Sequence, residues 1–566
     1  MSDVHESAPP VLLVVDFDVN ARIATEAALA RRFQPDYRVL TADSPLTGLE
    51  TLKRLANNRE DVVLIAADLH LPGMDGVTFL ERAHELHRGA SRVLLLSMDE
   101  HYTRIPFTEL PVLQQATALG RIDFWIVKGW VTPEEWLYPE VQQALSAWTI
   151  ANRPHHVVYR VVGEQWAPRS HQVRDLLSRN RVPFAFSRVD SPEGQQLLSD
   201  FSVDPSRLPA LIRNDGTVLH DPSLPEIAGA HGIQIQPPDE IRDLAILGAG
   251  PAGLAAAVYG TSEGLRTVVV EQLALGGQAG TSSLIRNYLG FPRGLSGSDL
   301  AYRAWQQAVL FGTEFVFTRR AARLSTRDDH YVVSLDDGSE CCARSLIIAT
   351  GVAYRRLNVE GVERFVGTGV FYGAAAVEAP AMSGQEVYVI GGANSAGQAA
   401  LHLARFAARV MLVVRGQSLV ASMSDYLIRQ LKATENIDVR LRTQVVGVHG
   451  KSHLESLTIE HDGQRDEVAA AALFVLIGAQ PHTDWLRDKV ELDQHGFILT
   501  GSDISQSAWR GVRGPLPFET SRPGVFAAGD VRYGSVKRVA GAVGEGSVCV
   551  GSVHRYLADA PGLTTR

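Results

Sequence analysis

Three glycines in the middle of the chain have the spacing of a phosphate-binding turn. Gly248, Gly250 and Gly253 follow the apolar run 244–247 in the order G-x-G-x-x-G, and an Ala-rich segment comes next. Such a turn between a strand and a helix lets the backbone approach a pyrophosphate, which the N–H groups at the helix start attract. A second apolar run, 267–270, ends in Glu271, where a carboxylate can accept hydrogen bonds from both hydroxyls of an adenosine ribose. Together these features predict a dinucleotide-binding fold.

A second turn of the same kind lies further along the chain, after the apolar run 387–390. It reads Gly391, Gly392, Ala393, Asn394, Ser395 and Ala396. The following run, 410–414, ends in Arg415, whose guanidinium suits the 2′-phosphate of NADPH better than a free 2′-hydroxyl. Ala393 replaces the middle glycine and places a methyl group near the pyrophosphate. We expect NADPH binding, with NADH less favoured, and a structural domain or a site for another nucleotide stays the alternative.

Four polar residues end apolar runs within residues 1–150. The runs 11–15, 63–67, 93–96 and 124–127 are followed in turn by Asp16, Asp68, Ser97 and Lys128. The strand ends of a doubly wound parallel sheet share one crevice, so we expect these side chains to converge. Acids there can hold Mg²⁺, while Lys and Ser contact the oxygens of a phosphoryl group carried by an aspartate.

Length and composition set the limits of these hypotheses. The chain has 566 residues, enough for three or four domains. Its net charge is −9 and its pI about 6.1, which favours neither nucleic acid nor an anionic membrane surface as a partner. The longest nearly uninterrupted apolar run, 468–479, is too short to span a bilayer, and the polar N-terminus lacks the features of a signal peptide. We therefore expect a cytoplasmic protein.

Cysteine usage points the same way. The sequence holds three cysteines, Cys341, Cys342 and Cys549, and no C-x-x-C motif. This suits a reducing compartment and excludes a disulfide framework and a zinc cluster. Cys341 and Cys342 are adjacent on a predicted strand, so their side chains should point to opposite faces and serve in packing. Cys549 lies on the terminal helix among small residues and is also predicted to belong to the core.

Residues 1–150 resemble a response-regulator receiver domain at these positions, most specifically over residues 68–76. The resemblance implies that Asp68 is the phospho-acceptor, assisted by Asp16, Ser97 and Lys128, and that a histidine kinase is the partner. It also implies a doubly wound parallel sheet.

Two residues differ from the receiver pattern. Phe17 stands where receivers carry a second acid that is a direct metal ligand, and Gly129 replaces the usual proline after the lysine. Asp16 and Asp68 remain the candidate Mg²⁺ ligands, with Asp18 one residue too far along the loop to replace the missing acid directly. A degenerate docking domain without phosphorylation is the open alternative.

Residues 155–236 resemble a small thioredoxin or glutaredoxin fold. A predicted strand leads to the loop 166–170, then a helix and a second strand follow, and Pro209 stands where the family has a cis-proline. The Asp-Gly pair at 215–216 is a hairpin signal. The loop contains no thiol, and the thiolate is the nucleophile of disulfide exchange, so we expect an interaction or spacer role. Pro237 and Pro238 then form a stiff linker.

Residues 240–566 resemble the low-molecular-weight thioredoxin reductases. Beyond the first turn, the resemblance is carried by the segments 276–278, 285–292, 346–351 and 524–530. It implies a homodimer and two nested Rossmann-like domains: FAD-binding residues 240–359, NAD(P)H-binding residues 360–483, and the rest of the FAD domain at 484–566. The matching FAD positions are Gly248, Gly250, Gly253, Glu271, Gln278, Asn287 and Asp530. Asp530 can hold a ribityl hydroxyl, and the helix start after Lys537 and Arg538 can face a flavin carbonyl.

One difference from that family decides the predicted function. Thioredoxin reductases carry C-x-x-C just before the first strand of the nicotinamide domain, where this chain has alanines within residues 371–380. Alanines cannot relay electrons as a dithiol. The predicted α/β protein therefore passes hydride from NAD(P)H to flavin and electrons onward to another acceptor: a ferredoxin-like protein, a quinone, oxygen or a partner's disulfide. No catalytic side chain is predicted, because the cofactors carry the chemistry.

Two other functions stay open. The chain is alternatively a signalling protein in which bound FAD reports redox state with little turnover. A thioredoxin-disulfide reductase is what the family alone implies.

Overall fold

The computed structural model describes residues 9–97, 109–129, 132–152, 157–282, 284–291, 294–373 and 378–559. The alanines 374–376 and residue 292, which belong to two of the segments named above, lie outside these ranges. The chain forms two compact units, residues 1–156 with 425–433 and residues 157–424 with 434–566. Within the described ranges, none of the helices combines the length and the apolar character needed to cross a bilayer.

The first unit contains a five-stranded parallel sheet between helices. Its elements are β1 (Val11–Val15), α1 (Val19–Phe33), β2 (Arg38–Ala42), α2 (Pro45–Asn57), β3 (Val62–Asp68), α3 (Gly76–Leu86), β4 (Ser91–Leu96), α4 (Leu110–Ala118), β5 (Phe124–Val127), α5 (Pro133–Trp136) and α6 (Tyr138–Asn152). The strand order is β2-β1-β3-β4-β5, which is the flavodoxin-like doubly wound order. Apolar clusters cover both faces of the sheet. The strands at 11–15 and 124–127 have the predicted limits.

The second unit begins with a small module, residues 157–236, called the middle module below. It contains β6 (Tyr159–Gly163), α7 (Pro168–Arg179), β7 (Phe184–Arg188), α8 (Pro192–Asp200), β8 (Ala210–Arg213), β9 (Val218–His220) and α9 (Leu224–Ala230). The sheet order is β7-β6-β8-β9, with β6 and β7 parallel and the other pairs antiparallel. The predicted hairpin at residues 214–216 joins β8 to β9, and the Leu208–Pro209 peptide bond is cis.

A seven-stranded sheet follows the middle module. Its first elements are β10 (Arg242–Leu247), α10 (Pro251–Ser262), β11 (Thr267–Glu271), α11 (Gly297–Leu310), β12 (Glu314–Phe317), β13 (Ala321–Arg327), β14 (His330–Leu335) and β15 (Glu340–Ile348). The order is β12-β11-β10-β15-β14-β13, and a late strand from residues 525–527 pairs with β15. The inner strands are parallel, so the ends of β10, β11 and β15 meet at one edge.

The remaining elements form a second parallel sheet nested within the first, a three-stranded antiparallel sheet at residues 443–469, and the last strand and helix of the first sheet; the helix at residues 425–433 groups with the first unit. They are β16 (Val352–Tyr354), β17 (Val370–Tyr372), β18 (Glu386–Ile390), α12 (Asn394–Leu403), β19 (Arg409–Val413), α13 (Asp425–Ala433), β20 (Ile437–Arg440), β21 (Thr443–His449), β22 (Ser456–His461), β23 (Gln464–Ala469), β24 (Ala472–Val475), β25 (Ala479–Pro481), β26 (Val525–Ala527) and α14 (Val539–Asp559). The parallel order is β17-β24-β18-β19-β20. Strands β16 and β25 pair with each other where the chain passes between the two sheets.

The cysteines serve in packing, as predicted. Cys341 and Cys342 follow each other on β15, with Cys341 buried and Cys342 partly exposed. Burial raises the pKa of Cys341 to about 12, and burial also raises the pKa values of Cys342 and Cys549. A thiol with a raised pKa supplies little thiolate near neutral pH, so none of the three has the environment of a redox cysteine.

Helix α10 approaches its neighbours at backbone distance. A Cβ built on Gly253 would lie 1.8 Å from the carbonyl oxygen of Gly248, and a Cβ on Gly546 of α14 would lie 2.1 Å from that of Ala252. No side chain fits in either place. The glycines therefore allow α10 to pack directly between β10 and α14.

We predict that Gly253→Ala lowers the free energy of unfolding of the second unit by about 3 kcal/mol, because the new methyl group forces α10 away from β10. Gly544→Ala is the matched control. Gly544 also lies in a helix, but a Cβ there meets nothing within 4 Å. That substitution should raise the free energy of unfolding by about 0.4–1 kcal/mol, because alanine reduces the conformational entropy of the unfolded chain. Thermal unfolding of both variants checks this, and equal midpoints would contradict the packing argument.

Candidate functional site

A cleft of about 900 Å³ in the second unit brings most of the predicted cofactor residues together. This volume lies within the range of small-molecule and cofactor pockets. The cleft is lined from three sides: the ends of β10, β11 and β15, the start of α12 on the nested sheet, and helix α7 of the middle module.

The first glycine turn has the geometry that a pyrophosphate requires. Gly248 has φ +108°, and a Cβ there would lie 2.4 Å from the carbonyl oxygen of Ala349. Gly250 precedes α10, and a Cβ built on it meets nothing within 4 Å, so there is open space beside the helix start. The backbone N–H groups of that first turn are available to an anion in this space.

The carboxylate of Glu271 is fixed at the end of β11, on the wall of the cleft. Its side chain accepts from the backbone N–H of Ala249 at 2.7 Å and from that of Leu273 at 2.8 Å. The residue is 6 % exposed. A carboxylate held in this way beside the glycine turn is suited to receive ribose hydroxyls.

The buried hydroxyl of Thr350 indicates that a polar group of a bound cofactor fits the cleft. Thr350 lines it, and its Oγ1 is buried without a hydrogen-bond partner among the described residues. Gln278 also lines it, and its Nε2 donates to the carbonyl oxygen of Val352. A buried hydroxyl of this kind is costly unless a bound group satisfies it.

The second half of the predicted FAD site lines the same cleft, where Asp530, Lys537 and Arg538 lie just before α14 begins. Burial raises the pKa of Asp530 and lowers that of Lys537. Lys537 Nζ donates to the backbone carbonyl of Asp530, so this carbonyl is already occupied. The Asp530 carboxyl remains suited to a hydroxyl donor such as a ribityl chain.

Asn287 lies apart from the predicted residues that line the cleft, and its role at FAD stays a prediction. Its side chain is exposed, and it is not among the described residues that line the cleft. The reason is local: Ile285 pairs with Leu295 through a backbone hydrogen bond of 2.7 Å, and the residues that follow form an exposed turn in which Leu289 is 91 % exposed.

The second glycine turn is only partly directed at the cleft. Gly391 has φ +144°, and a Cβ there would lie 2.4 Å from the carbonyl oxygen of Leu476. Ser395 lines the cleft at the start of α12, whereas Ala396 is buried in packing. Asn394 is tied to Ser424, accepting from its backbone N–H at 2.7 Å and donating to its hydroxyl at 3.1 Å.

Arg415 follows β19 and is exposed, outside the residues that line the cleft. Its guanidinium is accessible to a phosphate approaching along the surface. Of the second set of predicted residues, the structure therefore brings Ser395 to the shared cleft, whereas Arg415 is not among the residues that line it.

Sequence reasoning missed the third wall of the cleft, which His171, Asp175 and Arg179 of α7 supply. Their spacing of four residues places them on one helix face. That spacing was the only local signal, and a solvated helix face shows the same pattern.

In the first unit, the ends of β1, β3 and β5 bring together three of the four predicted residues. Asp16 is 0 % exposed and Asp68 is 2 % exposed. Lys128 Nζ donates to Oδ2 of Asp16 at 2.9 Å and also to Oδ2 of Asp68. Burial by itself would lower the pKa of Lys128, but the hydrogen bonds to Asp68 and Asp16 outweigh burial, and the pKa is raised. Ser97, after β4, is exposed.

The predicted Mg²⁺ site at Asp16 and Asp68 is not supported. Lys128 contacts both carboxylates, and Asp18 caps α1 by accepting from the N–H groups of Asn20 and Ala21. Phe17 is 50 % exposed and supplies no ligand. Among the residues that the structure describes, no group of three or more His, Cys, Asp or Glu is placed to hold a metal ion.

The backbone conformation explains why Gly129, the second difference from the receiver pattern, is not a proline. Its φ is +87°, which proline cannot adopt.

Comparisons with known proteins concern the second unit. A sequence model of the family described as pyridine nucleotide-disulphide oxidoreductase matches residues 242–546. A thioredoxin reductase of Mycoplasmopsis pulmonis is 30% identical over 311 residues, which are 55% of this chain and 95% of that protein. One from Treponema pallidum is 32% identical over 317 residues, 56% of this chain and 97% of that protein.

A solved thioredoxin reductase structure is also similar to this part of the chain. The crystal structure of Lactococcus lactis thioredoxin reductase, in the FR conformation, superposes with a TM-score of 0.51 at 26% identity. It covers 56% of this chain and 99% of that one.

We predict that Phe17→Asp creates a Mg²⁺ site in the first unit, because it adds the carboxylate that the crevice lacks beside Asp16 and Asp68. The affinity for Mg²⁺ should rise at least about tenfold, since ligand charge sets the affinity of such sites. Titration calorimetry with Mg²⁺ measures it. Phe17→Asn is the control, because asparagine has nearly the same size as aspartate but carries no charge. Equal affinities of Phe17→Asp and the wild type would show that Lys128 keeps the metal out.

Proposed function

Because this chain belongs to the pyridine nucleotide-disulphide oxidoreductase family and is an NAD(P)H-dependent flavoprotein oxidoreductase, we propose that it delivers electrons to an acceptor without an internal dithiol. The single observation that carries the proposal is the combination of a cleft lined by Gly248, Glu271 and Asp530 with the absence of C-x-x-C from the sequence. Burial raises the pKa values of all three cysteines, so none of them supplies a ready thiolate in place of the dithiol.

The residues of the cleft have distinct roles in this proposal. Gly248, Gly250 and Gly253 admit the pyrophosphate of FAD, Glu271 receives its ribose, and Asp530 receives the ribityl chain. FAD, when bound, supplies the hydride and electron transfer. Lys537 and Arg538, at the start of α14, place positive charge beside the ring system.

The nested sheet binds NADPH in this proposal. Gly391 permits the tight turn, Ser395 faces the shared cleft, and Arg415 recognises the 2′-phosphate. NADH, which lacks that phosphate, should bind more weakly.

The two N-terminal parts have narrower proposed roles. The first unit is a receiver-like module with Asp68 as candidate phospho-acceptor, supported by its strand order and by the contacts of Lys128 with Asp16 and Asp68. The middle module is thioredoxin-like, supported by its sheet order β7-β6-β8-β9. A homodimer, a histidine kinase partner and a cytoplasmic location stay predictions from the sequence.

We predict that NADPH added without oxygen removes the absorbance of oxidised flavin within seconds and that an added acceptor restores it over many cycles. Stopped-flow spectroscopy measures both steps. A spectrum that NADPH leaves unchanged would favour the flavin-based redox sensor. NADPH consumption that depends on thioredoxin, and on no other acceptor, would instead favour a thioredoxin-disulfide reductase.

We predict that Arg415→Ala lowers kcat/KM for NADPH about tenfold or more, because a charged hydrogen bond to phosphate contributes about 1.5–3 kcal/mol. The value for NADH should not change. Arg207→Ala removes an exposed arginine of the middle module and serves as the control. Equal losses with both nucleotides would show that Arg415 does not read the 2′-phosphate.

A further inference from the structure

Helix α7 of the middle module brings charged side chains into the cofactor cleft. His171, Asp175 and Arg179 lie on one face of the helix, and all three line the cleft. Arg179 donates to the backbone carbonyl of Gly277 at 2.9 Å, directly before Gln278. Residues 168–179 lie outside the segment matched by the family model. The cleft therefore contains a histidine that the family resemblance does not account for.

A buried carboxylate holds that histidine. His171 Nδ1 lies 2.6 Å from Oε1 of Glu378, whose side chain is 0 % exposed. Arg174 donates to both oxygens of the same carboxylate, at 3.1 and 3.3 Å. An ionised carboxylate can only accept, so Nδ1 carries a proton and Nε2 is the nitrogen that exchanges one. The hydrogen bond to Glu378 also fixes the orientation and the tautomer of the ring, as in histidine–carboxylate pairs of other enzymes.

The wall beside His171 is aromatic. The ring centroids of His171 and Phe371 are 5.2 Å apart, and Phe371 and Tyr372 both line the cleft. Phe371 is 1 % exposed and stacks on Phe474, so the partly exposed ring of Tyr372 is the aromatic surface that a flat, conjugated ligand can contact. His171 lines the same cleft.

The middle module also covers one approach to this wall. A Cβ built on Gly367 would lie 3.0 Å from the Cα of Pro168, and Trp166 stacks on His453 with centroids 6.2 Å apart. The thiol-free loop 166–170 therefore packs against the nested sheet, on the segment just before β17. These contacts narrow the approach for a bulky protein acceptor on that side more than the approach for a small molecule.

Building on the proposed function, we propose that the acceptor is a quinone bound against α7 and that His171 protonates it. Reduction of a quinone to a hydroquinone takes two electrons and two protons. Reduced FAD, when bound, would supply both electrons and one of these protons as a hydride. The imidazolium gives the second proton from Nε2 to the carbonyl oxygen. The neutral ring, still bonded to Glu378 through Nδ1, then takes a proton from water.

The test compares an acceptor that needs a proton with one that does not. His171→Gln can still donate a hydrogen bond to Glu378 but cannot act as the acid. With 1,4-benzoquinone, reoxidation of the reduced flavin in this variant should slow about 100-fold, the usual scale of general acid catalysis. With ferricyanide, which takes single electrons and no proton, the rate should stay unchanged. Ser178→Ala, an exposed change on the same helix, should match the wild type with both acceptors.

The outcomes separate this inference from the proposed function. The flavin is reduced with NADPH in one series and by light with EDTA in a second, so reoxidation is measured even if NADPH fails to reduce it. Equal slowing with both acceptors would show that His171 only holds the module in place. Unchanged rates with both would show that another group supplies the proton. Either result overturns the inference.

A spectroscopic measurement checks the histidine independently of turnover. In ¹⁵N spectra of the labelled full chain, the neutral ring of His171, assigned by its loss in His171→Gln, should carry its proton on Nδ1. In Glu378→Gln that preference should weaken. A proton on Nε2 in the wild type would contradict the proposed role.

Discussion

The close packing of α10 between β10 and α14 is the constraint on which the cofactor cleft depends. Gly253 lies against the carbonyl of Gly248, and Gly546 lies against that of Ala252, with no room for a side chain in either place. Protein interiors tolerate little change of volume, so this approach fixes the start of α10 above the end of β10. The glycine turn and the acid at residue 530 therefore come to lie around the same cavity.

Local rules explain what the sequence predicts well and what it does not. Strand ends in a parallel sheet must converge, which is why Asp16, Asp68 and Lys128 meet as expected. No comparable rule says which way an irregular loop faces, and for that reason the sequence alone does not place Asn287 relative to the cleft. The wall formed by α7 escaped prediction because His171 and Glu378 are 207 residues apart in sequence, and no local pattern connects them.

The buried carboxylate of Glu378 couples the middle module to the nucleotide-binding sheets. An ionised group without water needs partners, and both partners in the structure, His171 and Arg174, come from α7. Removing the partners of a buried charge costs about 3–5 kcal/mol. The Glu378 carboxylate therefore holds the middle module in place through His171 and Arg174, although the loop of the module has no thiols. A module that served only as a spacer would not need buried ion pairs with the nested domain.

The absence of a dithiol changes what the protein must contribute to the reaction. A dithiol relay carries protons as well as electrons, because each thiol brings its own hydrogen. Where electrons leave a flavin directly for an organic acceptor, the chain itself must supply a proton at the acceptor, whereas a redox sensor with little turnover needs no such group. A histidine held by a buried carboxylate in the wall of the cleft meets that need, and it favours a turnover enzyme over a sensor on chemical grounds.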